Sequence, residues 1–381
     1  MQAPFTRTED VRFLYFAIKR VWMAAGANEE HAHYVADAIT FAHIQGKLNQ
    51  GLGVYEAIDI ALQMGLLDIS AKPEVINEGP AWATVDGNRS TGYWCLNIMA
   101  EVAIQKARDS GIAIVFGGNH NDAGSFARYV YKAHEQDMMG IASNNTVPLA
   151  APFGGMENRL SCPPFDAIAP SGSKPPLWTS VAMAEFYDAD VSEAALQNKP
   201  LKGKWLIDPE SGGLSDDVTP YAEPIEGYGR VWGCSAAGQI EAPRTYAMNL
   251  WIEAMTAIIN PLGIPSTELP SVEALIDSDN PNKTPTVGGS YFLCIDPSKF
   301  GSIESVKARS DAFVSAIQDC PPRPGHSIRL PGEAGHEALQ RGTQEVAVLS
   351  HHWAPFFENI AGRYGLDEAR LRAEYLNSDL P

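Results

Sequence analysis

Positive charge, paired cysteine and long apolar runs are all scarce in this sequence, and each shortage removes a class of function. Across 381 residues, 28 Lys and Arg stand against 46 Asp and Glu, a formal charge of −18. Duplex binding relies on cations that neutralise phosphates, so no nucleic-acid partner is expected. No stretch approaches the roughly 18 consecutive apolar residues that span a bilayer, and no membrane partner is expected either. The first twenty residues are interrupted by Arg7, Glu9, Asp10 and Arg12, unlike a signal peptide, which points to a cytoplasmic protein. Five cysteines (Cys95, Cys162, Cys234, Cys294 and Cys320) are odd in number and scattered, with no C-x-x-C pair. Free thiols are expected, without a disulfide framework or a structural metal. The adjacent His351 and His352 point in different directions on a helix and do not make a metal site without partners elsewhere. Also missing are a G-x-G-x-x-G turn after a strand, a Walker loop, a G-x-S-x-G elbow and H-E-x-x-H. An ordinary Rossmann domain is thereby not supported.

What remains is a folded globular composition, 45% hydrophobic and only 19% charged. Val11, Leu14, Tyr15 and Ile18 recur at helical spacing after a possible Thr8 cap, and Val35, Ile39 and Ala42 repeat the pattern up to Gly46. A third helix runs over residues 54–66. From Ala83 the texture changes to strand, loop and helix in alternation. Strands are predicted at residues 83–85, 112–116, 140–143 and 290–295, and helices at 95–110, 126–136, 246–259 and 303–317. Residues 346–364 read as a further helical stretch broken near Pro355. This is the grammar of an α/β domain with polar groups at strand ends. Residues 151–235 are too rich in Pro, Gly and short polar turns for their elements to be assigned.

Less familiar segments follow one another in a specific order. They include Ala42-His43-Ile44-Gln45-Gly46, Asn49-Gln50-Gly51, Val85-Asp86-Gly87, Gly111-Ile112-Ala113, Asn119-His120, Asn145-Thr146, Ala151-Pro152, Cys294-Ile295-Asp296-Pro297 and Pro331-Gly332-Glu333. Taken together the chain resembles, from about residue 10 to about residue 370, the non-Rossmann malate/L-lactate dehydrogenase family. That family also holds ureidoglycolate dehydrogenase, diketogulonate reductase and cyclic-imine reductases. The resemblance implies an α/β fold in which helical segments, residues 1–80 and 260–381, flank an inserted α/β cofactor-type domain, residues 81–259. It also implies a homodimer, a small-molecule substrate, and NADH or NADPH as cofactor. Asn119, Asn145, Thr146, Thr179, Ser180 and Arg244 fall at the cofactor-side segments.

The chain departs from the family where chemistry is expected. In place of the family's D-S-H-G-V-x-R stretch it reads Leu48-Asn49-Gln50-Gly51-Leu52-Gly53-Val54. The proton-transferring His has become Gln50 and the carboxylate-gripping Arg has become Val54. Imidazole delivers a proton near neutral pH, whereas a carboxamide only orients a carbonyl. Losing a guanidinium also removes charge-assisted contacts of about 1.5–3 kcal/mol each. The glycine-rich loop of the family corresponds to residues 241–248, where Glu241 adds a negative charge near the expected phosphates.

His120, on a polar loop after a predicted buried strand, is the strongest catalytic candidate and matches the family's second active-site His. Gln50 is expected as a hydrogen-bond donor, and Tyr55 offers a phenol, though a lone Tyr on a helix more often packs. Lys47 reads as a solvated surface group, and Asn121 and Asp122 as either tuners of His120 or a solvated turn. Val54, Phe153 and Trp178 are expected to line an enlarged apolar pocket, with core packing the bland alternative for the two aromatics. No metal site is expected. Three functions fit these residues. The first is an NAD(P)H-dependent reductase of a ketone or imine lacking the 2-oxo-acid handle. The second is a non-redox isomerase, cyclase or lyase acting on an apolar metabolite, and the third a silent dimeric scaffold.

Overall fold

A computed structural model of the chain describes residues 5–208, 210–231, 238–239, 242–276 and 284–378. Cys234 and Glu241 lie outside the described residues. Two hydrophobic cores organise the described residues. The first gathers the amphipathic faces of helices Val11–Ala24, Glu29–Ile44 and Leu52–Gln63 around Trp22, Ile39 and Tyr55, and closes with Phe356 and Ile360 from the C-terminal part. A short antiparallel pair, Thr6–Asp10 with Glu345–Leu349, ties the two ends of the chain together on this body. Residues 346–349, read as the start of a helical stretch, instead lie in the strand Glu345–Leu349, because they pair with a partner some 340 residues away.

The second core belongs to a seven-stranded sheet. Helix Gly92–Ser110 packs on it through Cys95, Met99 and Ala103, and helix Ala127–His134 through Tyr129 and Val130. Strand Val287–Ile295 runs antiparallel between Ile112–Gly118 on one side and Met139–Thr146 on the other. Only Trp82–Asp86 and Ile112–Gly118 pair in parallel within this sheet. A doubly wound dinucleotide fold needs a run of parallel strands, and the antiparallel insertion explains why its glycine fingerprint is missing.

The sheet takes strands from all three of the segments distinguished in the sequence. Strands Glu74–Gly79 and Val287–Ile295 both belong to it, although they fall in segments 1–80 and 260–381. Helix Ile303–Gln318 follows, and its Asp311 accepts the N–H groups of Gly172 and Ser173 at 2.8 and 2.7 Å. Within residues 151–235, where no element was assigned from sequence, strands Pro164–Ala169 and Leu177–Ala182 form the far edge of the sheet. A small cluster around Phe186, Val191 and Leu206 follows them. No helix among the described residues is long and apolar enough to cross a membrane.

Candidate active site

The site begins where the second helix ends. Gly46, at φ +74°, takes the left-handed conformation that closes helix Glu29–Ile44, and the Lys47 N–H returns to the Ala42 carbonyl at 2.9 Å. The chain then reverses through Leu48–Gln50 into helix Leu52–Gln63. His43 is the post around which it turns. Its Nδ1–H donates to Ala347 O at 2.9 Å, and its Nε2 accepts the Leu52 N–H at 3.2 Å. A Cβ on Gly51 would fall 2.0 Å from that imidazole, so only glycine passes here. Burial holds His43 neutral, with its pKa lowered to about 4. The turn is thus fixed from below, with Lys47 and Gln50 facing a cleft.

The cleft has two adjoining chambers. The larger, about 520 Å³, is walled by Lys47, Gln50, Asp122, Asn144, Asp166 and Ser180 among others. The smaller, about 240 Å³, is lined mainly by hydrocarbon, including Val54, Ile58, Ala61, Leu66, Val147 and Leu275. Gln50, Asp122, Thr146 and Tyr187 belong to both walls and mark the junction.

Chemistry concentrates in the larger chamber. Asp166 and Ser180 face each other across the antiparallel edge pair. The Lys47 ammonium donates to Ser180 Oγ, whose hydroxyl donates to the Asp166 carboxylate. Burial lowers the Lys47 pKa, opposed by the negative charge of Asp166. Burial likewise raises Asp166 to about 6, opposed by Lys47 and by the Ser180 hydrogen bond. Each charge is tolerated in this poorly solvated wall chiefly because the other is there. Asp122, raised by burial, accepts the Gly124 N–H at 2.7 Å. In the smaller chamber, Arg230 pairs with Asp188 and donates to Gly53 O at 2.9 Å, beside Val54.

The sequence-derived candidates divide. Gln50, Val54, Thr146 and Ser180 come together around the chambers. His120 does not line either of them. It is fully buried, its Nδ1–H donating to Asn121 O at 2.8 Å and its Nε2 accepting from Ser290 Oγ at 2.9 Å. Burial lowers its pKa to about 4, which suits a neutral structural imidazole. Two residues on, Asp122 is the member of the same loop that reaches the chambers. Tyr55 is buried between Trp22 and Phe356. Asn145 donates to Glu253 and Ile264 O at 3.1 and 2.9 Å, and Asn119, at φ +53°, donates to Asp86 at 2.8 Å; both act within the scaffold. Trp178 packs against Tyr131 and Phe41, while Phe153, Thr179 and Arg244 are exposed away from the chambers. Among the described residues no cluster of His, Cys, Asp or Glu is arranged to hold a metal.

Among the charged residues that line the chambers, Asp166 and Arg230 were not singled out from sequence, Lys47 was read as a solvated surface group, and Asp122 as a tuner of His120 or a solvated turn. Lys47 carried one usable signal, its place three residues before Gln50 on the same tight turn. Asp166 carried another, a lone carboxylate between apolar residues of a strand, Phe165-Asp166-Ala167-Ile168.

Comparison with known proteins is consistent with this geometry. A family model for malate/L-lactate dehydrogenase matches residues 13–354. The L-sulfolactate dehydrogenase of Methanocaldococcus jannaschii is 31% identical over 310 residues, covering 81% of this chain and 83% of that protein. A crystal structure of malate dehydrogenase from Entamoeba histolytica superposes with a TM-score of 0.81 at 19% identity, covering 95% of this chain and 99% of the other. The delta1-piperideine-2-carboxylate reductase of Pseudomonas syringae gives 0.76 at 20% identity, covering 93% and 99%. At such identities the two superpositions establish the fold alone.

Proposed function

The chain belongs to the malate/L-lactate dehydrogenase family and is an oxidoreductase of that kind, and from this premise we propose that it is an NAD(P)H-dependent reductase of a ketone or imine lacking the family's carboxylate handle. The observation that carries the reading is the Lys47, Ser180 and Asp166 chain on the wall beside Gln50. Carbonyl reduction needs a proton at oxygen, and the Lys47 ammonium supplies what the missing histidine would have given. Its lowered pKa eases release of that proton, while the Asp166 carboxylate behind Ser180 keeps the ammonium charged until substrate arrives. The Gln50 carboxamide, at the junction of the chambers, orients the carbonyl by donating an N–H. With Val54 in place of a guanidinium, nothing on that helix grips a carboxylate.

The chamber suits a nicotinamide. Asn144 and Asp166 line it, and each keeps a buried side-chain oxygen without a hydrogen-bond partner among the described residues. A carboxamide N–H₂ has two donors to offer such acceptors. Asn144, Asp166 and Thr146 would hold that end of NADH or NADPH, which supplies the reducing equivalents when bound. An exposed apolar stripe formed by Leu250, Trp251, Ile258 and Ile259 supports pairing of two copies of the chain.

Titration of the purified protein with NADH and NADPH, followed by thermal stability and nicotinamide fluorescence, tests the reading. Ligand at 100 times its dissociation constant adds about 2.7 kcal/mol. No response to either at millimolar concentration overturns it and favours a non-redox use of the cleft.

A further inference from the structure

We propose that the smaller chamber is a subsite for an uncharged hydrocarbon arm of the substrate, attached to a reacting carbon held at the Gln50 and Asp122 junction. The chamber holds about 240 Å³. Helix Leu52–Gln63 presents Val54, Ala57, Ile58 and Ala61 to it, and Val147, Val272 and Leu275 close the other sides. Two small residues one turn apart, Ala57 and Ala61, leave the room; larger side chains at the same spacing would fill it.

Arg230 is the one cation lining this chamber among the described residues, and its charge is already committed. It pairs with Asp188 and donates to Gly53 O. A substrate carboxylate placed here would have to displace Asp188 and would meet Asp122 at the junction, both unfavourable in a poorly solvated wall. An alkyl or cycloalkyl group meets no such opposition and gains by leaving water. The position where a clamp for a small acid would stand is Val54, which forms part of the apolar wall instead. The inference therefore specifies the substrate of the proposed reductase: a ketone or imine bearing an apolar substituent of several carbons and no anion at that end.

This inference rests on the reductase reading for its catalytic meaning, but binding in the chamber can be measured without turnover. Unreactive 1-alkanols from butanol to octanol, titrated calorimetrically into the cofactor-free protein, are the probes. Affinity is expected to rise about fourfold per added methylene until the chamber is full, then level off. Ala57→Leu, which fills the space from a half-buried position, is expected to flatten the series at unchanged melting temperature. Met64, which also lines the chamber just past the C-terminal end of helix Leu52–Gln63, offers Met64→Phe as a second variant if Ala57→Leu does not fold. A wild-type series without chain-length dependence overturns the inference, as does a gradient that survives both substitutions. Turnover of 2-alkanones with NADPH or NADH is then read separately. A gradient in alkanol affinity with no response to either nicotinamide cofactor sustains the subsite and overturns the reductase, so the two failures are distinguishable.

Discussion

The two chambers share a junction but are built on opposite physical plans. The larger sets charge on a half-buried wall around the buried Asp166, and stabilises it by mutual pairing of Lys47 and Asp166 through Ser180. The smaller has its one lining cation among the described residues paired with Asp188, and beyond the junction it offers mainly hydrocarbon. The chambers come from different parts of the fold. Asp166 and Ser180 sit on the far edge of the sheet, whereas Val54, Ala57 and Ala61 sit on a helix of the other core. The difference teaches that, for the reductase proposed above, reaction and selectivity would be separable: substitutions in one wall should leave the signature of the other intact.

The largest break in that comparison is expected from Lys47→Met. Removing the proposed proton donor should lower kcat by about 10²–10⁴-fold with little change in KM, while the preference among substrates of different chain length is retained. Steady-state kinetics on a 2-alkanone series checks both halves. A smaller effect is expected from Val54→Arg, which places a guanidinium at the apolar wall. It should weaken the longest alkanones by roughly tenfold, the cost of bringing an unpaired charge against hydrocarbon, while the shortest are little affected. Asp166→Asn sharpens the polar side through pH. In the wild type, activity should rise as Asp166 ionises near pH 6 and fall at alkaline pH as Lys47 loses its proton. In the variant the acidic limb should disappear. The alkaline limb should move to lower pH, because the charge that held the lysine protonated is gone. The smallest effect on chemistry is expected from His120→Asn, which should leave the pH–rate profile unchanged. Stability is where His120 should register. Its pKa is lowered from the usual 6.5 to about 4, so its contribution is complete above pH 6.5 and is lost as pH falls towards 4. The slope is about 1.4 kcal/mol per pH unit for each such buried histidine. Denaturant unfolding at pH 7, 5.5 and 4.5 should show a shallower acid decline in the variant.

Much of the fold was legible because local pattern and burial agree in it. The strand read at residues 112–116 is Ile112–Gly118, and the helix read at 303–317 is Ile303–Gln318. Gln50 and Val54 were legible as departures from a motif, and both line the chambers. Lys47 was read as solvated because its burial comes from Ser180 and Asp166, more than a hundred residues further along the chain. Strand Pro164–Ala169 begins and ends at prolines and Leu177–Ala182 begins after a pair of them, which hides the two-residue alternation. His120 misleads for a related reason. Its flanking residues are polar, yet Ser290 on the strand beneath satisfies its ring and draws it inward. Side-chain direction along an irregular loop follows no period that a sequence displays.

The antiparallel strand Val287–Ile295 has a consequence for synthesis. It separates Ile112–Gly118 from Met139–Thr146, so both of those strands emerge from the ribosome long before the segment that will join them. At about 5–20 residues per second the delay is on the order of 10–30 s. Throughout it, the nascent chain presents two facing rows of unsatisfied backbone groups, each a template for the wrong neighbour. Arrested nascent chains with this strand still inside the ribosome and with it fully emerged should therefore differ sharply in protease resistance, making its emergence the step at which the sheet becomes a single cooperative unit.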